Sequence, residues 1–84
     1  MISNAQKQLQ NIGWIFELDL NIAKNPDVAR FVEWDERFKY IDIYNFQFKK
    51  EENDWVKNPT FLTSEEYELF YMFFREQKLI HTIK

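Results

Sequence analysis

The hydrophobic residues between Leu62 and Ile80 recur with the spacing of an α-helix. At about 100° per residue, one tight stripe follows the i, i+3, i+4, i+7 pattern; it consists of Tyr67, Phe70, Tyr71 and Phe74. A helix that lies on a sheet needs an apolar arc of little more than ~100°, yet further apolar residues widen this arc to roughly 200°. Two interpretations of this surplus remain open: an aromatic-rich core helix of a small domain, or a helix whose stripe faces the sheet while three flanking residues meet a second subunit or a partner. The three flanking residues are Leu69, Met72 and Phe73.

The start of this helix is marked by Thr63 and Glu66, which have the spacing of a capping box. In that motif each side chain accepts a hydrogen bond from a backbone N–H that would otherwise lack a partner. Leu62 and Tyr67 occupy the two positions of a hydrophobic staple across the cap. The sequence therefore predicts that the closing helix begins at this cap.

A first helix is predicted near the N-terminus, where Ser3 and Gln6 form another capping-box pair. One face of this helix is apolar and consists of Ala5, Leu9 and Ile12. Gly13 is the only glycine, and it stands where the C-terminus of a helix favours a left-handed residue. The first helix is therefore expected to end there.

Residues 14–22 alternate between apolar and polar, which predicts one half-buried strand. Residues 24–27 (KNPD) then predict a turn. Residues 26–34 fit two structures. Asn25 and Pro26 suit the start of a helix, whereas the dense Phe, Val and Trp residues of 29–34 suit a hairpin strand. We favour the strand, because a strand needs a neighbour.

Residues 38–48 predict a further strand that is apolar on both faces, which is typical of an interior strand or of one that bends. One face carries Tyr44, Phe46 and Phe48, and the other carries Ile41 and Ile43. Residues 49–53 predict a charged turn, and residues 55–56 a short edge strand. The order of elements predicts an α+β fold in a single domain, 1–84. It comprises an N-terminal helix, an antiparallel meander of three or four strands and a C-terminal helix, with both helices on one face of the sheet.

Composition restricts the class of protein further. The chain of 84 residues is 45% hydrophobic and 19% aromatic, which excludes a disordered chain. It has no cysteine and therefore no disulfide or thiolate metal site, and its first residues lack the apolar core of a signal peptide. The longest apolar run, residues 69–74, is too short to span a bilayer. These features fit a cytoplasmic protein, and the net charge of −3 argues against binding to duplex DNA or acidic membranes.

Candidate catalytic residues are scarce. His81 is the sole histidine, so one chain holds no histidine metal cluster and no Ser–His pair; we expect it on the solvated surface. Residues 51–54 (EEND) lack the alternating ligands and the glycine of a calcium loop. Asp35 and Glu36 are as common on an acidic surface as in an acid–base pair. The sequence therefore predicts no enzymatic activity, no cofactor and no metal.

Recognition of a partner is the function that the sequence favours. Trp34 stands beside Asp35 and Glu36, and Trp55 follows Asp54, at predicted strand ends or turns where a half-exposed indole can anchor a partner. The alternative is that each ring covers the edge of a small core. Together with the three flanking residues of the closing helix, these positions form the candidate partner-binding set.

Three segments carry a resemblance to known proteins: the helix that ends in Gly13-Trp14, residues 40–43 (YIDI) and residues 62–66 (LTSEE) before the closing helix. The resemblance covers most of the chain and is to small phage and mobile-element proteins of AT-rich Gram-positive bacteria. It implies a protein of the bacterial cytoplasm that binds and inhibits a host protein. The expected target is a defence protein that binds nucleic acid, such as a CRISPR nuclease.

Two other functions remain open. The surplus apolar face of the closing helix could hold a homodimer together, in a structural or adaptor protein without an inhibitory role. A single-stranded nucleic acid could instead stack on Trp and Tyr rings near Lys49 and Lys50. That function needs a positive groove, which a net charge of −3 hardly supplies, so direct nucleic-acid binding is not expected.

Overall fold

The protein, seen in a computed structural model, is an α+β fold built on an antiparallel meander. The structure describes residues 3–82, and for residues 79–82 only the backbone. The strands lie in the sheet in their chain order, β1 to β5, so the meander has five strands where three or four were predicted. The elements are α1 Asn4–Asn11, β1 Ile15–Glu17, β2 Ile22–Asn25, β3 Arg30–Trp34, β4 Ile41–Lys49, β5 Asp54–Pro59 and α2 Ser64–Thr82.

The fifth strand arises because residues 14–22 are not one strand, as predicted, but a tight hairpin. The chain leaves β1, makes a 3₁₀ turn over Leu18–Leu20 and returns as β2, with Glu17 opposite Ile22. Asn21 closes the turn in the left-handed conformation, at φ 55°, which asparagine adopts at low cost. The prediction was wrong because the exposed Leu18 and Leu20 continue the alternating pattern through the loop.

The same type of four-residue turn connects each pair of neighbouring strands in the sheet. In each copy the N–H of the fourth residue donates to the carbonyl of the first, and the fourth residue has a positive φ between 50° and 56°. The chain therefore folds back four times without using its single glycine. In each turn a non-glycine residue adopts the left-handed conformation, which costs it some backbone strain. The turns span residues 18–21, 26–29, 35–38 and 50–53.

The strand prediction for residues 29–34 is confirmed by β3, which pairs with β2. The helix alternative is wrong because Asn25 organises a turn instead of capping a helix. Its side-chain oxygen accepts the N–H of Asp27 at 3.1 Å, and its amide donates to the carbonyl of Ile12 at 3.1 Å. Asn25 is itself buried, so it fixes the β2–β3 turn to the end of α1.

Helix α1 begins and ends as predicted. The Ser3 hydroxyl accepts the N–H of Gln6 at 3.0 Å. At the other end Gly13 has a φ of 104°, its N–H donates to the carbonyl of Gln10, and the N–H of Trp14 donates to that of Leu9. This pair of bonds is a Schellman motif. A Cβ at residue 13 would lie only 3.1 Å from the Asn25 side chain, so glycine is required here for space as well as for its φ.

Both helices pack on one face of the sheet, as predicted. The core lies between that face and the helices, and aromatic rings fill much of it. The edge of Trp14 meets Phe70 at 4.8 Å between ring centroids, and Trp34 lies 5.5 Å from Phe73 and 5.3 Å from Phe74. The strands contribute Ala23 and Val32 from the same face, both fully buried.

The prediction of which side of α2 faces the core is wrong: the helix is rotated about its own axis relative to the prediction. Leu69 and Phe73, expected on the flank, are core residues with 7% and 0% of their surface exposed, whereas Tyr71, expected against the sheet, is 57% exposed. Helix α2 packs against α1 as well as against the sheet, so its buried arc is wide and rotated toward the other helix. Met72 alone of the three flanking residues is exposed, at 39%.

Glu66 connects the start of α2 to the end of α1. One carboxylate oxygen accepts the N–H of Thr63 at 2.9 Å, while the Thr63 hydroxyl accepts the N–H of Glu66 at 3.2 Å. The predicted capping box is therefore present. The other carboxylate oxygen accepts the indole N–H of Trp14 at 3.0 Å, in a buried hydrogen bond. A single side chain thus completes the cap and satisfies the only polar group of a core tryptophan.

We predict that Glu66→Ala destabilises the fold by roughly 2–4 kcal/mol. The change removes the cap, worth about 1 kcal/mol, and leaves the buried indole N–H without an acceptor, which costs about 1–3 kcal/mol. Chemical denaturation monitored by circular dichroism measures the loss. Glu68→Ala is the matched control, because Glu68 is exposed on the same helix and should change stability by less than about 0.5 kcal/mol. Equal losses in the two variants would contradict the assigned role of Glu66.

Candidate protein-binding surface

The sheet has a second face on which the described chain places no helix, here called the open face. Side chains alternate between the two faces along each strand, so the residues paired with Tyr44 in neighbouring strands share its face. An antiparallel sheet usually presents polar side chains on such a solvated face. Here the open face instead carries a row of five aromatic residues: Phe31, Tyr44, Phe46, Phe48 and Trp55.

The rings of this aromatic row contact one another across the strands. Phe31 stacks on Tyr44 at 5.3 Å with 5° between the ring planes. The edge of Phe46 meets both rings, at 5.2 Å and 5.5 Å. Farther out, Phe48 meets the edge of Trp55 at 5.4 Å. Cross-strand aromatic pairs of this kind stabilise a sheet, so the row has a structural role as well as an exposed surface.

The outer half of the β4–β5 hairpin, residues 45–58, is here called the arm. β3 pairs only with residues 41–44 of β4, so from Asn45 onward the two strands of the arm pair with each other alone. Trp55 is 63% exposed and Phe48 is 43% exposed, although both belong to a sheet. A two-stranded hairpin is marginally stable by itself, and we infer that the ring contacts hold this one together.

A small polar network closes over Tyr44 at the base of the arm. The Tyr44 hydroxyl donates to Glu33 at 3.0 Å, and the Lys57 ammonium lies 3.4 Å from the same carboxylate and 4.3 Å from the centre of the Tyr44 ring. Burial, followed by the hydrogen bond to Glu33, raises the pKa of Tyr44 to about 12. The phenol is therefore neutral at physiological pH and acts as a hydrogen-bond donor.

A second ion pair lies on the open face, where the Lys24 ammonium is 3.0 Å from the Glu17 carboxylate. Glu33 and Lys57 form the other pair, and all four residues lie on the face that carries the aromatic row. These two carboxylates thus each face an ammonium on their own chain, whereas Asp42, opposite Glu33 on the same face, has no such pair among the described residues. Paired charges lose less on desolvation than isolated ones, so this face can be covered at a lower cost than its polar residues alone suggest.

The outer edge of β5 is poorly suited to binding another strand. Thr60 donates its N–H to the carbonyl of Ile43, and by alternation the backbone groups of residues 55, 57 and 59 point away from β4. Of these residues, Pro59 has no N–H, and the N–H of Trp55 donates to the Asp54 carboxylate at 2.7 Å. Of the outward N–H groups only that of Lys57 is left for a further strand, and an edge that lacks donors in this way resists strand addition. We therefore expect a partner to contact the face of the arm.

Three of the predicted partner-binding residues are not available to a partner. Trp34, Leu69 and Phe73 are buried in the core between the sheet and the helices. Their assignment to a binding surface is therefore wrong, and the alternative that a tryptophan simply belongs to the core is correct for Trp34. Met72 remains exposed, but on α2 and away from the open face.

The acidic candidates have local structural roles. Asp35 organises the β3–β4 loop, where its carboxylate accepts the N–H groups of Lys39 at 2.7 Å and Tyr40 at 2.9 Å. The backbone N–H of Tyr40 is the main reason that the pKa of Asp35 lies below its usual value. Glu36 is exposed in the same loop. Asp54 blocks the edge of β5, so of the predicted set only Trp55, with Asp54 beside it, lies at the exposed aromatic row.

Sequence reasoning missed Phe46 and Phe48 as surface residues. The signal was present, because β4 is apolar on both faces although only one face can lie under helices.

The side chain of His81 lies outside the described residues, so its predicted position is not tested. In the described part of the chain, no three His, Asp or Glu side chains are grouped in a way that could hold a metal ion. No helix within that part is long and apolar enough to cross a membrane.

The described residues form a small α+β fold whose sheet is covered by helices on one face and carries the aromatic row on the other. Comparisons of the chain with protein-family models, with curated proteins and with solved structures gave no match.

We predict that Tyr44 makes stability fall at alkaline pH. Its pKa lies above the usual 10.0, at about 12. Its contribution to stability is therefore complete below pH 10 and is lost as the pH rises from 10 toward 12. The free energy of unfolding of the wild type should fall more steeply over this range than that of Tyr44→Phe. Tyr71→Phe, at an exposed residue, should keep the wild-type slope; equal slopes for all three proteins would contradict the prediction.

We also predict that only one of the three tryptophans is accessible to a collisional quencher. Trp14 and Trp34 are 2% and 4% exposed, whereas Trp55 is 63% exposed. Iodide quenching at low protein concentration should therefore remove part of the emission, and Trp55→Phe should abolish that quenchable part. A quenchable part that instead disappears in Trp34→Phe would place the wrong ring at the surface.

Proposed function

We propose that this protein acts by binding another protein, and that the open face of its sheet is the contact surface. The observation that supports the proposal is the aromatic row, because half-exposed rings stand on a face where polar residues are usual. Contiguous apolar patches of this kind on small proteins are often functional. Trp and Tyr are enriched among the residues that dominate binding energy.

The shape of the arm suits the same function. The molecule is elongated, with principal dimensions of 49 × 24 × 20 Å, and the arm carries its aromatic side chains on one face. The opposite face of the arm bears exposed polar residues such as Gln47 and Lys49. A partner that covers the aromatic side would therefore bury apolar surface while the other side stays in water.

The resemblance to phage and mobile-element proteins leads us to propose a host defence protein, such as a CRISPR nuclease, as the target. Mimicry of DNA by a row of carboxylates is not the mechanism that we favour. Glu17 and Glu33 on the open face are neutralised by Lys24 and Lys57, and Asp42 is the one other carboxylate on the described strands of this face. The face therefore does not present the row of unpaired negative charges that mimicry needs. We propose inhibition through aromatic contact.

Capture experiments with point variants test the proposal. The immobilised wild-type protein should retain a protein from a lysate of an AT-rich Gram-positive host. Trp55→Ala should weaken this binding by about 30-fold or more, the effect of losing a residue that contributes 2 kcal/mol. The matched control is Met72→Ala, a truncation of another exposed apolar side chain, which should retain the partner.

The same variants separate the alternatives. If Met72→Ala abolishes capture and Trp55→Ala does not, the contact lies on α2 and the proposal is wrong. Binding of a single-stranded oligonucleotide with strong salt dependence would favour the nucleic-acid alternative. Inhibition itself is measured by DNA cleavage with a captured nuclease: the wild type should slow cleavage, and Trp55→Ala should not.

A further inference from the structure

The exposed apolar area on the open face matches what a stable protein interface requires. Five large side chains on or beside this face are each about half exposed. Large rings bury roughly 150–250 Å² each, so these five present about 450 Å² of apolar surface. An interface of standard size covers about 800 Å² per partner, of which 56–65% is apolar. The five are Ile15, Tyr40, Phe46, Phe48 and Trp55.

The outer surface of α2, where the sequence favours a dimer contact, offers much less. Among the side chains described there, Tyr71 and Met72 are the exposed large hydrophobic residues. Together they present roughly 200 Å², which is less than half of the apolar area that a standard interface needs. The apolar area therefore favours the open face over the helix.

Most of the charged side chains on the open face are already paired within one chain, which suits contact with an identical face; Asp42 is the exception. In an interface with two-fold symmetry, each patch meets a copy of itself, so an unpaired charge near the axis meets the same charge. On this face Glu17 is paired with Lys24 and Glu33 with Lys57, within one chain. Two such faces can approach without leaving these four charges unpaired.

We propose that a second copy of this chain covers the open face, so that two sheets stack with their helices on the outside. The inference rests on the proposed function, because the same face is the contact surface in both. Sheets pack face to face at about 10 Å. With the two-fold axis across the long direction of the molecule, the arm of each copy lies over Ile22 and Phe31 of the other copy. A foreign partner then binds by displacing the second copy.

Sedimentation velocity with two matched variants tests the dimer. The wild type at high micromolar concentration should sediment with twice the chain mass of 10.4 kDa. Phe48→Glu places a charge in the proposed interface and should weaken dimerisation at least tenfold. Met72→Glu places the same charge on α2, at a residue of similar exposure, and should leave the dimer unchanged.

Trp55 supplies a second readout that does not depend on a disruptive variant. It is the exposed tryptophan, while Trp14 and Trp34 are already buried. Dimerisation should therefore shift the emission to shorter wavelength as the protein concentration rises, and Trp55→Phe should remove this shift. Circular dichroism confirms that each variant is folded; if Phe48→Glu is unfolded, Trp55→Lys takes its place.

The outcomes separate this inference from the proposed function. A wild-type monomer at high micromolar concentration, or a dimer lost in Met72→Glu and kept in Phe48→Glu, overturns the second copy as the occupant. If that monomer still captures a partner through Trp55, the proposed function stands without the dimer. A third outcome is that the dimer requires Phe48 but a captured partner binds the Phe48→Glu and Trp55→Ala variants as well as it binds the wild type. This outcome supports the dimer and overturns the proposed function.

Discussion

The structure depends on the buried carboxylate of Glu66. One oxygen accepts the N–H of Thr63 in the cap of α2, and the other accepts the indole N–H of Trp14, which lies just after α1 and 52 residues before Glu66. A buried carboxylate is tolerated only when its lone pairs are satisfied, so both segments must be in place together. The bond sets α2 beside α1, and both helices therefore lie on the same face of the sheet.

Because both helices cover the same face of the sheet, the aromatic side chains of the open face are left partly exposed. Two helices supply enough apolar surface to bury Ala23, Val32 and Trp34, but in the described chain no element is left for the open face. The aromatic row there is partly self-contained, since Tyr44 is buried by its neighbours and by Lys57. The rings farther along the arm have no such cover. The exposed surface is therefore a consequence of the fold, concentrated where the arm extends beyond β3.

Local signals were reliable where the chemistry is local. Both helix starts, the end of α1 at Gly13 and the strand at residues 30–34 could be predicted, because caps and turn residues act within a few positions. The hairpin at residues 18–21 could not be predicted, since Leu18 and Leu20 continue a strand pattern through a turn. The prediction of which face of α2 is buried was wrong for a different reason. The buried arc depends on the contact with α1, and the periodicity of one segment gives no information about contacts with a distant segment.

The two tryptophans beside acidic residues show why the binding surface was only half predictable. Trp34 precedes Asp35 and Trp55 follows Asp54, so their sequence surroundings are alike, yet one ring is in the core and the other is on the surface. Each lies on a strand, and the pairing register alone decides which face its side chain joins: Trp34 lies opposite Ile41 on the helix side, Trp55 opposite Phe48 on the open side. A shift of one residue exchanges the faces. The strand register therefore decides whether an aromatic residue of this sheet is exposed. The apolar residues on both faces of β4 are the sequence feature that indicates such exposure.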